Sequence, residues 1–137
     1  MKTHTTNYQN TFILVADDCP AYVGEIPPQK SDSQSIANIQ FELIRNHPYK
    51  YFSDDIIFLV HAYRNDLIED EYGTARIELF SKGQACLRSS PLTKRYGWGI
   101  HFNQEGKVAL YGSETEEYQR FVDDVNVKKI KALRSGK

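Results

Sequence analysis

KRYGWGIHFNQEGKVALY, residues 94–111, is the stretch on which the fold turns. Trp98, Ile100 and Phe102 alternate with Gly97, Gly99 and His101, the two-residue period of a strand whose faces see different surroundings. Asn103-Gln104-Glu105-Gly106 suits a type I turn with Gly106 in the left-handed region, and residues 107–111 supply the returning strand. The alternation assigns Trp98, Ile100 and Phe102 to the core. It leaves the face of Gly97, Gly99 and His101 for a site.

Working back towards the N-terminus, residues 84–94 show no clean period and contain Pro91 as a breaker. Ile68, Tyr72, Ala75 and Leu79 fall on one helical stripe, although Gly73 costs about 1 kcal/mol relative to alanine inside a helix. Residues 56–63 form a continuous apolar run that only His61 interrupts, which reads as a central strand buried on both faces. Residues 49–52 are an aromatic connector. Ser35 caps a helix carrying Ile36, Ile39, Leu43 and Ile44, and Asn46 with Pro48 stops it. Residues 17–32 are a polar loop broken by Pro20, Gly24, Pro27 and Pro28, near the upper length for an unstructured connection. Residues 12–16 read as the first strand.

Beyond the hairpin, Ser113 and Glu116 match a capping box, followed by an amphipathic stripe of Tyr118, Phe121, Val122 and Val125. Val127, Ile130 and Leu133 make a short edge strand or a frayed turn. The sum is an α+β domain: an antiparallel or mixed sheet of four to five strands, including the 56–63 run, with two to three helices mainly on one face. A single domain over residues 1–137 carries a polar N-terminal arm, residues 1–10, and a basic C-terminal tail, residues 128–137. No internal repeat divides it.

Composition narrows the function classes. With 40% hydrophobic and 26% charged residues the chain has the make-up of a globular domain, and a domain of this length buries roughly two-thirds of its extended surface. The longest apolar run, residues 56–60, falls far short of the ~20 residues a bilayer span needs, and residues 1–10 lack the apolar segment of a secretory signal. Two cysteines, Cys19 and Cys86, make no disulfide scaffold, so the expected location is the cytoplasm. The net charge of -1 hides an asymmetry, since residues 1–80 hold 12 of the 18 acidic but only 6 of the 17 basic residues. The second part of the chain is cationic.

The chain resembles a family of uncharacterised bacterial proteins of about this length, a domain of unknown function. The likeness spans most of the chain. It rests on Phe12-Ile13 and Val15-Ala16 leading to Asp18-Cys19-Pro20, on Pro27-Pro28, on residues 46–51 and on Val60-His61. Its most specific parts are QACLR at residues 84–88 and KRYGWGIHF at residues 94–102. The family carries no assigned activity or ligand, so the resemblance implies kinship and a bacterial origin.

The residues themselves nominate a site. Arg88, Lys94 and Arg95 lie near Ser89, Ser90 and Gly97, and arginine presents a planar fork that suits carboxylate or phosphate. Exposed ion pairs contribute only about 0–1 kcal/mol each, so such cations must converge to make a site. The expected function is a non-catalytic binding or interaction module for a small anionic ligand or a protein partner. Its pocket is rimmed by Arg88, Lys94, Arg95, Trp98, His101 and Cys86, and the 17–32 loop is its cover. The competing class is a small cysteine-dependent enzyme using Cys86 or Cys19 with a histidine, His61 or His101.

Cys19, Cys86, His61 and His101 have the right atoms for zinc but no clipped spacing, so no metal and no cofactor are expected. No Walker-type loop is present, and Gly97-Trp98-Gly99 is not a dinucleotide fingerprint. Asp17-Asp18, Asp54-Asp55 and Asp123-Asp124 read as caps and solvated ends. Nucleic acid is disfavoured by the near-zero charge, despite nine tyrosines, seven phenylalanines and Trp98.

Overall fold

A computed structural model describes residues 3–29 and 32–135; the ends of the N-terminal arm and of the basic tail, and residues 30 and 31 of the long loop, lie outside the described residues. Four strands, β1 (Thr11–Leu14), β2 (Trp98–Phe102), β3 (Val108–Gly112) and β4 (Lys128–Lys131), form one mixed sheet in the order β3-β2-β1-β4. β2 pairs antiparallel with β1 and β3, while β4 runs parallel to β1. The β2–β3 hairpin turns through Gly106 at φ 94, as the turn chemistry requires, with the Gly106 amide donating to the Asn103 carbonyl at 3.0 Å.

The strand period sorts side chains onto two faces. One face carries Trp98, Ile100 and Phe102 with Ile13, Val108 and Leu110, packed against Ile44 of α1 (Ile36–Arg45), Ile56 of α2 (Ser53–Arg64) and Leu92 of the one-turn α4 (Pro91–Lys94). The other carries Phe12, whose ring meets Tyr118 and Phe121 of α5 (Glu116–Asp123) at 4.9 and 5.1 Å. Phe12 is fully buried, and burying a ring of that size contributes about 1.5–3 kcal/mol. Among the described residues there are five α-helices where sequence suggests two or three: α1, α2 and α4 cover one face of the sheet, α5 covers the other, and the fifth, residues 69–79, packs on α2.

Residues 56–63 correct the sequence expectation: they lie in α2, not in a strand. The apolar run is continuous because the helix is buried on two sides. Ile56 enters the sheet core, while Phe58 and Ala62 join a second cluster with Phe80 and the Tyr72, Ala75 and Leu79 stripe of α3 (Glu69–Leu79). A helix apolar around most of its circumference loses the period that would identify it.

The sequence marks the ends of most elements. Ser35 Oγ accepts from the Asn38 amide at 3.1 Å, and Asn46 closes α1. α5 starts from Thr115, whose Oγ1 accepts from the Tyr118 amide at 3.2 Å, and not from a Ser113–Glu116 box. Ser113 and Glu114 are diverted to the long loop: the Ser113 hydroxyl donates to the Tyr22 carbonyl, and the Glu114 carboxylate accepts from the Gly24 amide. The polar arm is docked too. Thr6 Oγ1 lies 2.7 Å from both Ser53 Oγ and Asp54 Oδ1 at the start of α2.

Of the paired acids, Asp55 caps its own helix, and Asp55, Asp17 and Asp18 also tie distant segments together. Asp55 accepts from the Phe52 amide and pairs with Arg76, Asp17 pairs with Lys131, and Asp18 accepts from the Ser135 amide. At the sheet edge, Lys128, Lys129 and Lys131 on β4 discourage pairing with another strand.

Candidate functional site

The six residues nominated from sequence are distributed over four places. Cys86 precedes a 3-10 turn, Leu87–Ser89, and its Sγ lies 3.5 Å from Tyr8 Oη. That hydrogen bond, with burial behind it, raises the Tyr8 phenol above its ordinary value, and Arg88 opposes the shift. Arg88 itself is turned towards β4, where its Nε donates to the Lys131 carbonyl at 2.8 Å and its own carbonyl accepts from Leu133. Cys86 and Arg88 thus share one neighbourhood with Tyr8.

Trp98 is core. It is 6% exposed, its Nε1 donates to the Glu25 carbonyl at 2.8 Å, and Phe41 and the Arg45 guanidinium lie against its ring. Residues 21–25 of the long loop cover this end of the hairpin, so the tryptophan is walled off from solvent.

His101 points to the opposite face of the sheet from Trp98, as three residues of strand demand. Its ring stacks on Phe121 at 4.0 Å, and its Nδ1 lies 2.7 Å from Tyr49 Oη, which also meets Tyr111 Oη at 2.8 Å. Burial pushes the imidazole down to about 4, with Asp124 pulling the other way, so it is neutral at physiological pH. Tyr49, held up by burial and by Tyr111, stays protonated.

Lys94 ends α4, half-buried, and Arg95 follows as its C-cap, exposed. Arg95 lines a cleft of about 350 Å³ together with Arg64, Tyr96, Pro91 and the first turn of α1. Arg64 reaches it from the end of α2, and reading residues 56–63 as a strand conceals it. Neither guanidinium has an ion-pair partner among the described residues. The first turn of α1 contains no acid, and Ser35 caps the third helical amide, while no hydrogen bond to the amides of Ile36 and Ala37 is present among the described residues at this positive helix end. No hydrogen bond or ring contact joins Arg95 to Cys86 or His101 among the described residues.

The sulfur atoms have other partners than histidine. Cys86 meets the Tyr8 phenol, and Cys19 Sγ lies 3.7 Å from the Ala21 carbonyl; both thiols are free. His61, on α2, lies beside Asn65. Among the described residues no three His, Cys, Asp or Glu side chains gather as a metal site requires, and no helix is long and apolar enough to cross a membrane. A larger cleft of about 540 Å³ opens between α1 and α2, floored by Ile39, Leu43, Leu59 and Tyr72 and edged by Glu42 and Asp66.

Over residues 3–137 the chain matches the model of a family of unknown function, DUF6157, and it belongs to that family. No curated protein and no solved structure matches it.

Proposed function

We propose, with that membership as the premise, that the chain is a non-catalytic binding module of a bacterial cytoplasm, and that it receives a small anionic ligand in the cleft shared by Arg95 and Arg64. The observation that carries this reading is two guanidinium groups with no carboxylate partner among the described residues, lining one concavity with the positive end of a ten-residue helix. Charge-assisted hydrogen bonds contribute about 1.5–3 kcal/mol each, more than neutral ones. Exposure of both arginines reduces that figure, and the expected affinity is modest.

Of the nominated residues, Arg95 carries the role, with Lys94 adding charge next to it. Arg88, Cys86, Trp98 and His101 support the surrounding scaffold. Two unpaired thiols suit a reducing compartment. A small anion fits a cleft of this size better than a nucleic-acid strand, for which the net charge of -1 offers no field.

Calorimetric titration with pyrophosphate and with a dicarboxylate tests the reading. Arg95→Ala and Arg64→Ala should each weaken binding about tenfold, with the loss shrinking as salt is raised. Unchanged affinity in both variants, or no heat from either anion, removes the proposal.

A further inference from the structure

The larger cleft, between α1 and α2, has the opposite charge character and stands independently of the Arg95 site. Asp66 marks it. α2 ends at Arg64 with Asn65 as its C-cap, and the chain then closes with the Leu67 amide donating to the Ala62 carbonyl at 3.0 Å and the Asp66 amide to Tyr63 at 3.3 Å. Asp66 occupies the left-handed position of this closure, at φ 52, where glycine is the usual choice because any side chain is strained there. Its carboxylate also stands at the negative end of the helix, where the aligned peptide dipoles favour a cation and disfavour an anion.

No lysine, arginine or histidine forms an ion pair with Asp66 among the described residues. The left-handed backbone, which aspartate tolerates better than most side chains but less well than glycine, and the local field both work against a carboxylate here, and no ion pair among the described residues offsets them. Local rules broken without compensation are characteristic of binding positions.

Asp66 lines the cleft of about 540 Å³, within the range that small-molecule sites occupy. Across it stands Glu42 of α1, whose Oε2 accepts only from the Gln34 side chain among the described residues. Ile39, Leu43, Leu59 and Tyr72 give the lining its apolar part, and Gln34 and His47 complete its polar rim with the two carboxylates. Apolar surface beside two carboxylates that form no ion pair among the described residues, with His47 the one basic side chain in the lining, is complementary to a cation with a hydrocarbon body.

We infer that this cleft binds a hydrophobic amine, an ammonium group on a short alkyl or aryl body, with the head between Asp66 and Glu42 and the body on Ile39, Leu43, Leu59 and Tyr72. The ammonium supplies the charge that both the carboxylates and the end of α2 lack. The hydrocarbon removes exposed apolar surface from water. A carboxylate or an alcohol of the same shape would keep the second gain and lose the first.

The test is a titration of the full chain with hexylammonium, hexan-1-ol and hexanoate, followed by amide chemical shifts. Hexylammonium should bind about tenfold more tightly than hexan-1-ol, and hexanoate should bind least, with shifts confined to α1 and residues 59–72. Asp66→Asn and Glu42→Gln should each remove most of the preference for the amine. Asp66→Gly separates binding from folding: it should raise the thermal midpoint by relieving the left-handed strain while weakening the amine as much as Asp66→Asn does. Equal binding of amine and alcohol, shifts elsewhere, or an Asp66→Gly protein that still prefers the amine overturns the inference. Arg95→Ala, on a different element from Asp66 and Glu42, should leave the preference for the amine in place, so failure of the anion site does not touch this one.

Discussion

Tyr49 Oη sits 2.7 Å from His101 Nδ1, joining the connector before α2 to the strand at the centre of the hairpin. Tyr49 adopts φ 59, a conformation that a bulky side chain rarely takes, and the neighbouring backbone fixes it there: its amide donates to the Val108 carbonyl, and the Tyr51 carbonyl accepts from the Val108 amide. From that position the phenol bridges His101 and Tyr111. One hydroxyl satisfies two half-buried polar groups.

Replacing Tyr49 by phenylalanine removes the bridge and leaves both partners without it. The expected loss is about 1–3 kcal/mol of folding stability, the cost of a polar group stranded away from water. Urea unfolding of Tyr49→Phe measures it, and a midpoint within error of the parent would show that water replaces the bridge at no cost.

His101 makes stability depend on pH in a defined window. Its folded value is lowered from 6.5 to about 4 by burial, so below 6.5 the unfolded chain binds the proton that the folded one refuses. The His101 contribution is present in full above 6.5, is lost progressively as pH falls towards 4, and is constant below that. Imidazole resonances followed by NMR should place His101 near 4. Titration near 6.5 contradicts the packing of Phe121 over its ring.

Two glycines should respond in opposite senses. Gly73 lies within α3, and a Cβ there meets nothing within 4 Å, so Gly73→Ala should stabilise by about 1 kcal/mol through helix propensity. Gly97 has φ 80, and a Cβ there would stand 2.2 Å from the Val23 carbonyl oxygen, so Gly97→Ala should displace the 17–32 loop from the hairpin. Thermal midpoints order the two; a gain from Gly97→Ala would mean the loop is not seated on β2.

Legibility in the sequence followed periodicity. The Ser35 helix is readable from its apolar stripe and its cap, the hairpin from its alternation and its turn, and the first strand from a short apolar run of β-formers buried on both faces. Residues 56–63 were misread because α2 is buried against the sheet through Ile56 and against α3 through Phe58 and Ala62, which erases the helical stripe. That error hid Arg64, the partner of Arg95, and separated His61 from its helical neighbours. Tyr49 and Asp66 were invisible for a different reason: their importance lies in left-handed backbone, and neither residue type announces it. Arg95 was legible as a cation beside a turn, but nothing in the order of residues says that Arg88 and His101 face elsewhere.

Amide and arginine side-chain resonances recorded during a pyrophosphate titration decide whether Arg95 and Arg64 form an anion site. Saturable shifts are expected at Arg64, Arg95, Ile36 and Ala37, abolished together in the Arg64→Ala, Arg95→Ala double variant. Shifts centred on Arg88 and Lys131, or spread without saturation over the lysines of β4, would contradict it.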